Sequence, residues 1–125
     1  MPEAESNEWT VEWYRTAAGE IPAKAFLARL TGRPKDEALA LLELAQRRGN
    51  RMREPKSQAL GGGLFELRGD QVRLFYVFRP DRTILILDGM VKKQDKIPND
   101  VIKRLRGMQQ ALATADGKAK AKRGP

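Results

Sequence analysis

Alternation and helical spacing divide the chain into seven segments. Trp9-Thr10-Val11-Glu12-Trp13-Tyr14 alternates and is rich in β-formers, which predicts a first strand. Ala18-Gly19-Glu20 breaks that pattern, and Pro22 suits the first turn of a helix whose apolar stripe is Phe26, Leu27 and Leu30, with Gly32 at its end. A second helix is predicted from Pro34, with Asp36 and Glu37 favourable near its N-terminus and Ala38, Leu41, Leu42 and Ala45 on one face. Gln46-Arg47-Arg48-Gly49-Asn50 closes it with bases in the last turn and then glycine. Residues 50–63 carry no periodic pattern. Leu64–Arg68, Val72–Arg79 and Thr83–Val91 then read as three strands, separated by the turn signals Gly69-Asp70 and Pro80-Asp81-Arg82. Pro98-Asn99-Asp100 opens a third helix, with Val101, Leu105, Met108 and Leu112 along its seam. The order β-α-α-β-β-β-α predicts an α+β fold: a mainly antiparallel four-stranded sheet with helices on one face.

Side chains alternate across a strand, so a register assigns faces. A two-residue loop at Gly69-Asp70 sets Arg68 opposite Gln71 and Glu66 opposite Arg73. An even loop about Asp81-Arg82 sets Arg79 opposite Ile84 and Phe75 opposite Asp88. The core face then carries Phe65, Leu67, Val72, Leu74, Tyr76, Phe78, Leu85 and Leu87. The other carries Leu64, Glu66, Arg68, Arg73, Phe75, Val77, Arg79, Ile84, Ile86 and Asp88, a mixture of aliphatic and charged groups. Two readings of that second face stand side by side: a solvated surface with ordinary ion pairs, or an open cleft whose arginines grip phosphates. Both leave Arg73 facing solvent.

Charge sharpens the choice. The 125 residues hold 24 Lys+Arg and 16 Asp+Glu, a formal net charge of +8. Residues 1–8 are acidic, residues 9–46 are neutral, and the excess lies in residues 47–106 and in a basic tail. The tail, 114–125, and the first eight residues read as disordered, leaving an ordered domain over about residues 9–113. With 41% hydrophobic residues the chain has the material for one core. There is no apolar run long enough for a membrane helix, and the acidic start predicts no leader, so a cytoplasmic protein with an anionic partner is expected. The chain has no cysteine and no histidine, which excludes disulfides, thiolate or imidazole metal ligands and a Ser-His-Asp triad. Chemistry is left to Lys, Arg, Asp, Glu, Tyr and hydroxyl groups. Arg51, Arg53 and Lys56 make the unpatterned loop basic, and Lys92-Lys93 ends the last strand, where alternation aims one lysine at the mixed face. Gly61-Gly62-Gly63 lacks the Lys-Ser/Thr of a P-loop and precedes a strand, so it reads as a tight turn.

Lys56, Gly63-Leu64-Phe65-Glu66-Leu67-Arg68, Val72-Arg73-Leu74-Phe75-Tyr76, Ile84–Val91, Lys92-Lys93 and Pro98 together resemble the RelE/ParE toxin superfamily, and within it the phage-derived HigB-like branch. The likeness spans about residues 9–112, including element order. It implies a RelE-like, microbial-ribonuclease-like fold and a toxin of a type II toxin–antitoxin system. The implied activity is ribosome-dependent mRNA cleavage without a metal or other cofactor, and the implied partners are a HigA-like helix-turn-helix antitoxin, the ribosome and mRNA, with no membrane. Carried over by position, Arg68 and Arg73 stabilise the phosphorane charge, Lys92 or Lys93 binds phosphate or transfers a proton, and Lys56 binds phosphate or assists; Arg53 in the basic loop and Arg79 on the mixed face read as further phosphate contacts. Glu66 positions Arg73 or acts as a base. One departure stands out: several HigB-type enzymes have histidine or tyrosine near the end of the fourth strand, where this chain has Leu87-Asp88-Gly89-Met90. That leaves Asp88 as the nearby proton acceptor, or a group borrowed from the ribosome. Two other readings remain open: a ParE-like toxin that inhibits DNA gyrase by binding, and a degenerate, non-catalytic RNA-binding or regulatory module.

Overall fold

The computed structural model describes residues 8–123. It divides between Lys93 and Gln94 into two compact units. The first holds β1 (Thr10–Trp13), α1 (Pro22–Arg29), α2 (Gly32–Arg48), a short 3₁₀ turn (Gly49–Arg51), β2 (Ser57–Gly61), β3 (Leu64–Arg68), β4 (Val72–Arg79) and β5 (Thr83–Val91). The second holds α3 (Asn99–Arg123).

All the elements read from periodicity are present, and there is one more. The sheet has five strands in the order β1-β5-β4-β3-β2, not four. The added strand, β2, is Ser-Gln-Ala-Leu-Gly, with none of the β-branched or aromatic residues that announce a strand. Its antiparallel ladder to β3 and its edge position define it. β1 joins β5 in parallel, and the other pairings are antiparallel.

α1 and α2 cover one face of this sheet. Ala23, Phe26 and Leu30 from α1 and Ala38, Leu41 and Ala45 from α2 close on Leu67, Leu74, Tyr76, Ile84 and Ile86. Burying Phe26 alone is worth about 2–3 kcal/mol. Gly89 admits the Phe26 ring to the sheet: a Cβ there would lie 2.5 Å from Phe26 Cδ2.

The faces of β3 and β4 follow the alternation, but the register differs. Arg68 pairs with Arg73 and Glu66 with Phe75, because the two-residue loop is Asp70-Gln71, closed by Gly69 N–H on Val72 O at 2.9 Å. The shift is even, so every side chain keeps its face. In β5 the assignment changes. Arg79 pairs with Thr83 across a three-residue loop in which Asp81 and Arg82 have φ of 63° and 54°. That odd loop puts Ile84 and Ile86, not Leu85 and Leu87, on the core face. A bulge then restores the predicted pairing of Phe75 with Asp88, with Leu87 as the extra residue.

The second face is not open. Leu64, Phe75 and Leu87 are fully buried, and Arg73, Glu66 and Asp88 are 2%, 2% and 7% exposed. The reading of Arg73 as solvent-facing is therefore corrected. Val-Arg-Leu-Phe-Tyr-Val-Phe is apolar at both parities, the signature of a strand buried on both sides.

In the second unit, Pro98 O accepts the amides of Val101 and Ile102 at the start of α3, and Val101, Leu105 and Met108 are buried as their spacing predicts. The helix continues through residues 114–123, which composition assigned to a disordered tail. Alanine and lysine there have high helix propensity. Residues 1–7 and 124–125, also read as disordered, lie outside the described residues. Among the described residues no helix is long and apolar enough to cross a membrane.

Candidate functional site

The second face of the sheet lays out its polar groups in rows set by strand pairing. One row is Gln58, Glu66, Phe75 and Asp88 across β2 to β5. The next is Arg68, Arg73 and Met90, with Lys56 O accepting the Arg68 amide at 2.7 Å. Beyond it, Lys92 N–H donates to Gln71 O at 2.7 Å and so carries the ladder past the end of β5.

Two guanidiniums face each other across β3 and β4, and one carboxylate reconciles them. Glu66 Oε2 accepts from Arg73 Nη1 at 3.2 Å, and Glu66 Oε1 lies 3.6 Å from Arg68 Nε. The Glu66–Arg73 pair predicted as directly opposed is thus made on a diagonal. Arg68 also donates from Nη1 to Gln58 Oε1 at 2.7 Å. Its guanidinium is held on two sides, yet its side chain keeps a third of its surface in solvent. Arg73 lies behind it, almost wholly enclosed.

In front of Arg68 the surface opens into a depression of about 230 Å³ lined by Pro55, Lys56, Arg68, Gly69, Asp70 and Lys92. Three of the predicted phosphate-binding cations, Lys56, Arg68 and Lys92, therefore converge there, against a single carboxylate, Asp70. Arg73 and Glu66 do not line the opening; Glu66 reaches Arg68 with one oxygen and Arg73 with the other. Asp88 is buried and its Oδ1 accepts the Gly89 amide at 2.8 Å, which serves the bulge. Lys93, one residue past Lys92, falls to the other side of the alternation and is exposed. Arg53 donates to the carbonyls of Met52 and Asn50 at the end of the 3₁₀ turn. Arg79 stands six residues along β4 from Arg73, about 20 Å away. Arg53, Arg79, Lys93 and Asp88 are thus not brought into the depression. Among the described residues no group of acids is placed to hold a metal ion.

One residue central to this arrangement is marked in the sequence only as an acid near a helix N-terminus. Glu37, on α2, accepts three consecutive backbone amides from the β3–β4 turn: Asp70 N–H on Oε2 at 2.8 Å, and Gln71 and Val72 N–H on Oε1 at 2.8 and 2.9 Å. Desolvation opposes its charge, but those three bonds and the nearby Lys56 charge outweigh it and hold its pKa below the usual 4.5. A depressed carboxylate contributes stability that is present above its unfolded pKa and is lost as the pH falls through the folded value. Glu37→Gln is therefore expected to flatten the acid limb of the stability profile below pH 4.5, measured by urea midpoints. On the core face Tyr76 shares a 2.7 Å hydrogen bond with Ser57, and burial raises its pKa above 10.0, so it stays a neutral phenol.

A family model described as phage-derived protein Gp49-like matches residues 25–108, more than half of the chain. The chain belongs to this Gp49-like family. The match spans every residue of the depression and bears out the resemblance to the phage-derived branch of the RelE/ParE toxins. No curated protein matches this Gp49-like chain. Among solved structures it is similar to one in the toxin–antitoxin complex RelBE2 from Mycobacterium tuberculosis, with 24% identity, 70% of this chain and 94% of that chain covered, and a TM-score of 0.43.

Proposed function

We propose that this Gp49-like chain is the toxin of a type II toxin–antitoxin system and that it cleaves mRNA on the ribosome in the cytoplasm, without a metal ion. The observation that carries the reading is the convergence of Lys56, Arg68 and Lys92 on one open depression, with Arg68 oriented by Glu66 and Gln58. A phosphodiester seated there meets the guanidinium fork of Arg68 and two ammonium groups. The ribose 2′-OH attacks the adjacent phosphorus. The 2′-O–P bond forms as the P–O5′ bond breaks, leaving a 2′,3′-cyclic phosphate. Arg68 stabilises the charge that develops on the non-bridging oxygens, and Lys92 donates the proton taken up by the leaving 5′-oxygen. The 2′-OH proton passes to a group of the ribosome or to water, since Asp88 is enclosed and engaged with Gly89. A helix-turn-helix antitoxin masks the toxin in this reading.

Induced expression followed by mapping of transcript 5′ ends tests it. New ends within codons, appearing as growth stops, are the expected result. Growth arrest with unchanged transcripts and a DNA-damage response would instead support a gyrase-binding toxin.

A further inference from the structure

The depression is lined by the Pro55–Lys56 loop, by Arg68 at the end of β3 with the turn that follows it, and by Lys92 just past β5, and its three cations must hold their positions against mutual repulsion. Glu37 is the group that ties these parts together. Its carboxylate takes the amides of Asp70, Gln71 and Val72, so it fixes the turn that forms one wall. Gln71 in turn accepts the Lys92 amide at 2.7 Å, so the same clasp reaches the backbone of the second wall. Lys56, in the third wall, lies within the field of the Glu37 charge. Gly69 completes the clasp: a Cβ at that position would collide with Glu37 Oε1 and Cδ. Glu37 itself is absent from the lining.

We propose that Glu37 is the positioning residue of the cationic depression, setting the Lys92 wall against Arg68 through the β3–β4 turn. The proposal rests on the reading of the depression as a site for RNA phosphate, and it adds a residue that acts on the walls without lining them. Loss of a charged hydrogen-bond acceptor frees three amides at once and lets the Lys92 end drift.

The experiment uses the full chain, wild type and the variants Glu37→Ala, Glu37→Gln and Gly69→Ala, below their melting temperatures. Two readouts are taken: amide hydrogen exchange at Lys92, and affinity for a short single-stranded RNA at several salt concentrations. Glu37→Ala is expected to speed exchange at Lys92 and to weaken RNA binding by about tenfold. The slope of log affinity against log salt stays as in the wild type, because the cations are retained. Glu37→Gln, which keeps one acceptor oxygen, falls between the two. Gly69→Ala leaves Glu37 in the chain but displaces its carboxylate, and it reproduces the Glu37→Ala result if that variant folds poorly. A folded Glu37→Ala variant with a lower melting temperature but unchanged Lys92 exchange or unchanged RNA affinity would overturn the proposal, leaving Glu37 a stabilising contact only. Wild-type protein that binds no RNA would overturn the phosphate reading of the depression, and this proposal with it.

Discussion

Arg73→Ala is expected to destabilise the protein by about 3 kcal/mol, a large share of the roughly 5–15 kcal/mol available to a domain. Arg73 is 2% exposed, and its partner Glu66 is equally enclosed. Deleting the arginine leaves the Glu66 carboxylate buried with Arg68 at 3.6 Å as the remaining ion partner seen here. The cost is dominated by that stranded charge. Neutralising both groups, in Glu66→Gln with Arg73→Ala, should recover much of the loss, and the double variant set against the Glu66→Gln and Arg73→Ala single variants gives the coupling. Urea denaturation reads all three. A change below about 1 kcal/mol in Arg73→Ala would show that Glu66 is solvated and that the second face is open. In cells, loss of toxicity in Arg73→Ala should come with loss of folded protein.

Arg68→Ala should separate chemistry from folding. Its guanidinium is partly solvated, and its bonds to Glu66 and Gln58 orient it more than they stabilise the chain, so the stability cost is about 1 kcal/mol. The cleavage rate should fall by about 10²–10³, the effect of removing one preorganised donor from a developing oxyanion. Arg68→Lys restores charge without the two-pronged fork and should recover only part of the rate. Single-turnover cleavage of ribosome-bound mRNA measures this. A rate within a few-fold of wild type would remove Arg68 from the chemistry.

Much of this was legible in the sequence, and the failures have definite causes. Alternation and helical spacing give the three helices and four of the five strands, because those segments bury a face. β2 escapes because Ser57-Gln58-Ala59-Leu60-Gly61 offers an edge backbone and little else. Faces on β3 and β4 survive a shift in register because the shift is even. On β5 a three-residue loop and a bulge at Leu87 each move the parity by one, and neither leaves a mark in the pattern. The arginines were visible as charge, but their depth was not. A polar residue in an alternating strand reads as wet, and Arg73 is dry because the apolar residues around it are buried at both parities. Lys56, Arg68 and Lys92 do meet, as their order along paired strands allows. Glu37 was legible only as an acid near a helix N-terminus, since its partners are backbone amides and any residue supplies those.

Purified ribosomes carrying a defined mRNA, mixed with the purified chain, put the proposed activity to the test. Primer extension then locates any cut, and the new 3′ end is examined for a 2′,3′-cyclic phosphate. Cleavage within the codon in the ribosomal A site, absent without ribosomes and strongly reduced in Arg68→Ala, is the predicted result. Intact mRNA after incubation with folded wild-type protein, or equal cleavage with and without ribosomes, would contradict it.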